Sequence, residues 1–409
     1  VRSLALAVLV ACTPAAHEAA APPTIRAGTS GDYAPFSTME GDRPVGFAPA
    51  LVSSFAAANG ATATFTRFRW PSLSSDLSAH TFDVAADGIT VRPERSMLGV
   101  FTVPIARGGA MLLLRRPSWA TGLGGPTPRD VLAAIDRREL RIVVNRGGHL
   151  EHVALSLLHA AEVRSIADNS AVHDAFARGE ADAAMTNTFE APRWSAGLAG
   201  VEAIGPLSSD ITALWVSADH EDLAARLDAW LLEEEDSGRL GALRAQWLGP
   251  GGEATARPTD ALLAATAERL ALMPFVAAAK RAAGAPVDDR VREARLLDAV
   301  WLDVERAAAI ARTTPPSHDR VDAFFHAQFE AAKDVQRRAP SSSSSFSLDH
   351  LRPAITRITL RMAFLVARLP RMNAQGDLAR RAHDFLDDSG ASRESIDAVA
   401  STLADCSRP

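Results

Sequence analysis

Lysine is almost missing from this chain: Lys280 and Lys333 are the only two among 43 basic residues, and every other one is arginine. Cysteine is nearly as scarce, with Cys12 and Cys406 alone, and once Cys12 is cleaved off or modified no intrachain disulfide can form. Basic residues never run beyond two or three, and the formal net charge is −6. That balance excludes nucleic acid and an anionic membrane surface as partners and leaves small anions open. No Gly-x-Ser-x-Gly elbow, phosphate-binding loop or dinucleotide fingerprint occurs, and His149, Glu151, His152 and His159 fit no zinc spacing. No cofactor or metal is expected.

What is present suits two or three soluble domains: 409 residues, 47% hydrophobic and 22% charged. Residues 1–12 combine one arginine with a short apolar run too brief to span a bilayer, which reads as an export signal. Its Leu9-Val10-Ala11-Cys12 ending resembles a bacterial lipoprotein cleavage box. This implies a periplasmic protein lipidated at Cys12 and touching the membrane only there. A polar spacer, 13–24, follows. Residues 25–249 then alternate apolar strands (Ile25–Gly28, Thr62–Phe68, Asp83–Ala86, Met111–Leu114, Arg141–Val144, Ala181–Thr186, Ala213–Val216) with helical segments. Such alternation predicts an α/β fold with largely parallel sheets. The breaker-rich stretch 250–259 is a linker, and 260–409 shows apolar residues at helical period throughout. The serine run Ser341–Ser345 reads as a loop between helices.

Four motifs sharpen the first domain: Gly31-Asp32-Tyr33-Ala34-Pro35-Phe36, Trp70-Pro71-Ser72, Asp87-Gly88-Ile89-Thr90 leading to Arg95, and Arg178-Gly179-Glu180-Ala181-Asp182 before Met185-Thr186. With Gln246-Trp247 near the end, they resemble a two-lobed (type II) periplasmic solute-binding protein of the polar amino-acid kind. That resemblance implies lobes of about 25–113 plus 206–249 and about 114–205, with the ligand between them. A guanidinium fork at Arg95 suits a carboxylate, with Thr90 completing the cradle. Asn145-Arg146-Gly147-Gly148-His149 places backbone donors at a helix start, where anions bind. Asn187 stands where an acid would meet an amino-acid ammonium, and the carboxylate comes three residues later at Glu190. This arrangement, with Asp32 and Trp70 upstream, is similar to the cyclohexadienyl dehydratases. There the residue matching Glu190 is the general acid, and Asn187 implies prephenate over arogenate. The pattern departs from that family at His149, where Thr is usual, and at Ala110, where Lys is frequent. A protonated His149 would replace the missing cation.

In the second domain both lysines fall within 268–336. Arg269 and Lys280 lie eleven residues apart, so a continuous helix puts both on one face about 16 Å apart. Asp289 and Arg292, then Lys333 and Gln336, are each three apart and also share faces. Glu268-Arg269, Lys280, Asp289, Arg292-Glu293, Phe324-Phe325 through Lys333 and Gln336, and Leu351-Arg352-Pro353 with Arg361-Met362 together resemble the secreted (gamma) class of all-α chorismate mutases. The resemblance implies that Arg269, Arg292 and Arg361 clamp two carboxylates. Lys280 and Gln336 donate to the ether oxygen, Asp289 or Glu293 takes the hydroxyl, and Lys333 also faces the substrate. It also implies a homodimer through this domain. The expected whole is an exported bifunctional enzyme turning chorismate into prephenate and prephenate into phenylpyruvate. The alternative is a mutase fused to a non-catalytic binding domain.

Overall fold

A computed structural model describes residues 22–249, 255–341, 346–370 and 376–408. The expected leader with Cys12, most of the spacer, the first half of the linker and Ser342–Ser345 lie outside the described residues.

All seven segments read as strands form strands, and they sort into two sheets. In the first, Thr24–Thr29 runs parallel to Thr62–Arg67 on one side and to Val84–Thr90 on the other. The long strand Asp210–Ser217 returns antiparallel to Val84–Thr90, Gly99–Phe101 and Ala106–Gly108. In the second, Arg141–Asn145 lies between the parallel strands Glu162–Ile166 and Ala183–Asn187, with Ala110–Arg115 antiparallel and Val201–Ile204 outermost. The sheets are therefore mixed, because the chain crosses between lobes twice and each crossing delivers an antiparallel strand. The first crossing falls at Gly108–Gly109, earlier than the expected 113, since Ala110–Arg115 pairs wholly within the second sheet. Glu162–Ile166 and Val201–Ile204 escaped the sequence reading because they are half-exposed edge strands without a continuous apolar face.

From residue 255 the chain is helical. Pro258–Ala271 and Met273–Ala283 form one apolar rod broken at Leu272, where Pro274 can open a helix but not continue one. By length and composition this rod passes for a membrane span, yet most of it is buried inside the protein. Arg290–Ala311, His318–Arg338, Leu348–Val366, Gly376–Leu386 and Arg393–Cys406 complete the bundle. Asp289 caps Arg290–Ala311, its Oδ1 accepting from the Arg292 N–H at 3.1 Å. Such a cap contributes about 1 kcal/mol.

One apolar core runs from the first lobe (Phe47, Phe55, Leu227) into the bundle (Leu262, Phe324, Met362). Polar contacts frame that junction. Ser96 Oγ donates to Glu268 at 2.7 Å, and Arg361 bonds Glu268 and the Phe101 carbonyl. Removing one partner of a buried ion pair like Arg361–Glu268 costs about 3–5 kcal/mol. At the lobe crossover, Arg107 stacks 4.3 Å above the Phe385 ring, and Arg129 of the second lobe reaches Asp388 at 3.1 Å. The bundle thus touches both lobes.

Candidate active site

Between the lobes lies a cavity of about 550 Å³. Each wall traces to an element end. Thr90 closes a strand of the first lobe, and Arg95 sits on the following short helix, Pro93–Leu98. Asn145 ends a strand of the second lobe, and Gly148 and His149 open the helix His149–Leu157. Asn187 ends another strand just before Glu190. Two glycines permit the approach. A Cβ on Gly88 would lie 2.3 Å from the Tyr33 ring, and Gly147, at φ +73, lies where a Cβ would meet Pro71 of the other lobe at 2.8 Å.

Glu190 is buried, and three donors converge on its carboxyl group. Asn169 Nδ2 donates at 2.6 Å, and Thr186 Oγ1 and Asn187 Nδ2 each donate at 3.0 Å. These bonds favour the anion, but burial opposes them, and with Asp32 and Asp87 nearby it pushes the Glu190 carboxyl up to about 8. At neutral pH the group carries its proton. Asn187 fixes it further, because its Oδ1 accepts from the Phe189 and Glu190 N–H groups while Nδ2 also donates to Tyr33 Oη at 2.9 Å. Asn169 is itself held at a helix start capped by Asp168.

Arg95 is 5% exposed and donates to the Thr90 carbonyl at 3.0 Å, with no carboxylate bonded to it among the described residues. Burial, with Arg92 nearby, lowers its guanidinium to about 9. A buried cation in that condition is a standing site for an anion. His149 is not free to play the same part as expected: its Nε2 pairs across the cleft with Asp210 at 2.9 Å. Its Nδ1 is buried without a hydrogen-bond partner among the described residues.

Of the residues expected here, Trp70, Thr90, Arg95, Asn145, Gly148, His149, Asn187 and Glu190 all line the cavity. Asp32 does not. Its carboxylate accepts from Trp70 Nε1 at 3.2 Å and from the Asn169 N–H at 3.0 Å, so it ties the lobes together instead of facing a ligand. Ala110 is absent from the wall, and Gly108 and Gly109 stand there instead. Sequence reasoning missed Tyr33, Asn169 and Asp210 as wall residues. The lone tyrosine of the chain was the available signal for the first, and nothing local marked the others.

The model of the bacterial extracellular solute-binding proteins, family 3, matches residues 25–250. The chain belongs to that family. It is 30% identical over 229 residues to the cyclohexadienyl dehydratase of Pseudomonas aeruginosa PAO1, covering 55% of this chain and 82% of that protein. A solved ABC-transporter binding component from Wolinella succinogenes, complexed with lysine, shares the fold at 20% identity and TM-score 0.50, covering 56% of this chain and 97% of that one. The ancestral amino acid-binding protein AncCDT-1 also matches, at 22% identity and TM-score 0.49 over 55% of this chain and 95% of that one. The family match ends before the bundle begins.

The bundle holds its own cavity, of about 930 Å³, in which Arg269, Lys280, Arg292, Glu293, Lys333 and Gln336 meet from four helices, with Asp289 at the capping position of one of them. Arg269 is buried, donates to the Gln328 carbonyl and lies over Phe329; burial lowers it to about 10. Burial, with Arg292 beside it, also lowers the Lys280 ammonium, which donates to the Val287 carbonyl at 3.0 Å. Lys333 is different, because Glu293, Glu330 and Asp288 surround its ammonium. Asp289 lines the cavity but caps its helix with Oδ1.

Arg361 does not reach this cavity, contrary to expectation. It lies nine residues beyond Arg352 on the Leu348–Val366 helix, which is two and a half turns and so places the two on opposite faces. Arg361 therefore meets Glu268 at the domain junction, and Arg352, which the sequence reading quoted but did not choose, lines the cavity.

Proposed function

We propose that the solute-binding fold is a lyase that aromatises a cyclohexadienyl carboxylate, with prephenate as its substrate and Glu190 as its general acid. One observation carries the reading: a buried carboxyl raised to about 8 and a buried guanidinium, Arg95, which bonds no carboxylate among the described residues, line the same cavity between the lobes. Arg95 and the Thr90 backbone hold one carboxylate, and the start of the His149–Leu157 helix offers donors for the second.

Glu190 gives its proton to the C4 hydroxyl, which leaves as water while the ring carboxylate leaves as carbon dioxide. The bonding electrons of that carboxylate close the aromatic ring. One proton is consumed per turnover, so solvent recharges Glu190 before the next. The dehydratase relative, which covers this fold and not the bundle, supports the reading.

For the bundle we propose chorismate rearrangement to prephenate. The reaction needs no nucleophile, only a shaped cavity and cations placed for two carboxylates and a developing ether-oxygen charge. Arg269, Lys280 and Arg292 have no carboxylate bonded to their cationic heads among the described residues, and Gln336 Nε2 is available with only Met273 Sδ and its own helix carbonyl as partners. Lys333, neutralised by three acids, keeps Glu293 in place. Family membership supports an extracellular setting, and a lipid anchor at Cys12 and a dimer through the bundle complete the proposal.

A rival reading makes the first domain a binding module. Among the described residues Arg95 is the one arginine or lysine on the cleft wall, and His149 is held by Asp210, which favours it. Prephenate supplied alone distinguishes the two. Phenylpyruvate formation that collapses in Glu190→Gln supports the lyase, and no turnover above the spontaneous rate, with chorismate still consumed, supports the module.

A further inference from the structure

The arginine that faces the cleft is carried on a helix of only six residues, Pro93–Leu98, too short to hold its own position. Its cleft side is tied internally, since Arg95 donates to Thr90 and Trp215 Nε1 donates to the Arg95 carbonyl at 3.1 Å. Its other side is tied to the bundle. Ser96 Oγ has two acceptors, the Arg92 carbonyl at 3.2 Å and Glu268 Oε1 at 2.7 Å, and its single proton serves the nearer, charged one. Arg357 donates to the Ser96 carbonyl at 3.3 Å. Glu268 cannot drift, because Arg361 grips its other oxygen. Ser96 and Glu268 are both buried.

We infer that Glu268 and Arg357 of the bundle are positioning residues for the carboxylate-binding Arg95 of the cleft, acting through Ser96. The second domain thereby completes the first domain's site from outside. The inference rests on the reading of Arg95 as the substrate's carboxylate ligand, and it goes beyond that reading by making the cleft depend on the bundle. The geometry is economical: Arg95 and Ser96 are consecutive, so a displacement of Ser96 moves the guanidinium, and an error near 1 Å at a binding group costs up to about a hundredfold in turnover efficiency.

The test uses the full chain and prephenate as the probe. Ser96→Ala keeps the helix and the Arg361–Glu268 pair and removes only the hydroxyl. Its KM for prephenate is expected to rise about five- to tenfold, the scale of one ordinary hydrogen bond, with kcat within twofold. Ser96→Thr, which restores the hydroxyl, recovers most of the loss. Chorismate consumption stays near wild type in both, and the thermal midpoint of Ser96→Ala falls by a few degrees at most. Arg95→Met is run beside them. If Arg95→Met raises KM while Ser96→Ala leaves it unchanged, the positioning role is overturned and the cleft reading stands. If Arg95→Met leaves KM unchanged, the cleft reading falls and the positioning role falls with it. A Ser96→Ala variant whose midpoint drops while KM holds marks the bond as structural only, which also overturns the inference.

Discussion

Replacing Arg95 by Met separates function from stability in one residue. Arg95 is 5% exposed, and its guanidinium is bonded to a carbonyl and lowered by burial well below its ordinary range, to about 9. A shift of that size sets a penalty of about 3–5 kcal/mol against the charged form. Since the folded-state value lies below the unfolded one, the whole penalty is present below pH 9 and is relieved only as pH climbs from there towards the ordinary guanidinium range. Methionine fills a similar volume without the charge. In the unliganded protein Arg95→Met should therefore recover about 1–3 kcal/mol at pH 7, a thermal midpoint a few degrees higher. With ligand the sign reverses. Losing a desolvated carboxylate partner costs about 2–5 kcal/mol, so KM for prephenate rises at least thirtyfold. Scanning calorimetry with and without prephenate, beside initial rates, reads both. A midpoint that falls in the absence of ligand, with KM unmoved, would show Arg95 to be an ordinary structural arginine and refute the reasoning.

Glu190→Gln should lower kcat for prephenate by about 10²–10⁴ in a phenylpyruvate assay, the usual contribution of a general acid. The same substitution alters stability against pH. Because the folded carboxyl sits at about 8, above its unfolded 4.5, the wild type loses stability as pH rises between those values, and melts of the variant from pH 5 to 9 should show a flatter trend. In the bundle, Arg352→Ala should raise KM for chorismate about tenfold or more, as loss of a charged contact does, whereas Arg361→Ala should leave that KM alone and lower the melting temperature. Lys280→Met should cut chorismate turnover at least a hundredfold, while Lys333→Met, whose ammonium is already neutralised, should act mainly on stability.

Much of this was legible in the chain. Strands that carry site residues were found because buried central strands are continuously apolar, and the residues that end them, Thr90, Asn145 and Asn187, follow from that placement. Glu190 was legible through its distance from Asn187. What escaped depends on pairings far apart in sequence. Asp210 meets His149 sixty-one positions away, on the strand that returns from the second lobe. Asp32 looked like a ligand contact because nothing near it in the chain shows that Trp70 and Asn169 occupy its oxygens. Arg361 was chosen over Arg352 because both sit in the family pattern; helical phase separates them once the helix is known to be unbroken through Pro353. The link from Ser96 to Glu268 spans 172 positions and two domains, beyond any local signal.

The central claim is that a neutral Glu190 in the cleft is the acid that turns prephenate over, and the pH dependence of kcat/KM for prephenate as sole substrate tests it most directly. With the acid form required and the carboxyl of the unliganded cleft at about 8, kcat/KM should hold steady from pH 6 to near 7.5 and then fall about tenfold per unit above 8, a limb missing from the residual rate of Glu190→Gln. A rate that stays flat or climbs through pH 8 to 9, or a falling limb that persists in Glu190→Gln, would contradict it.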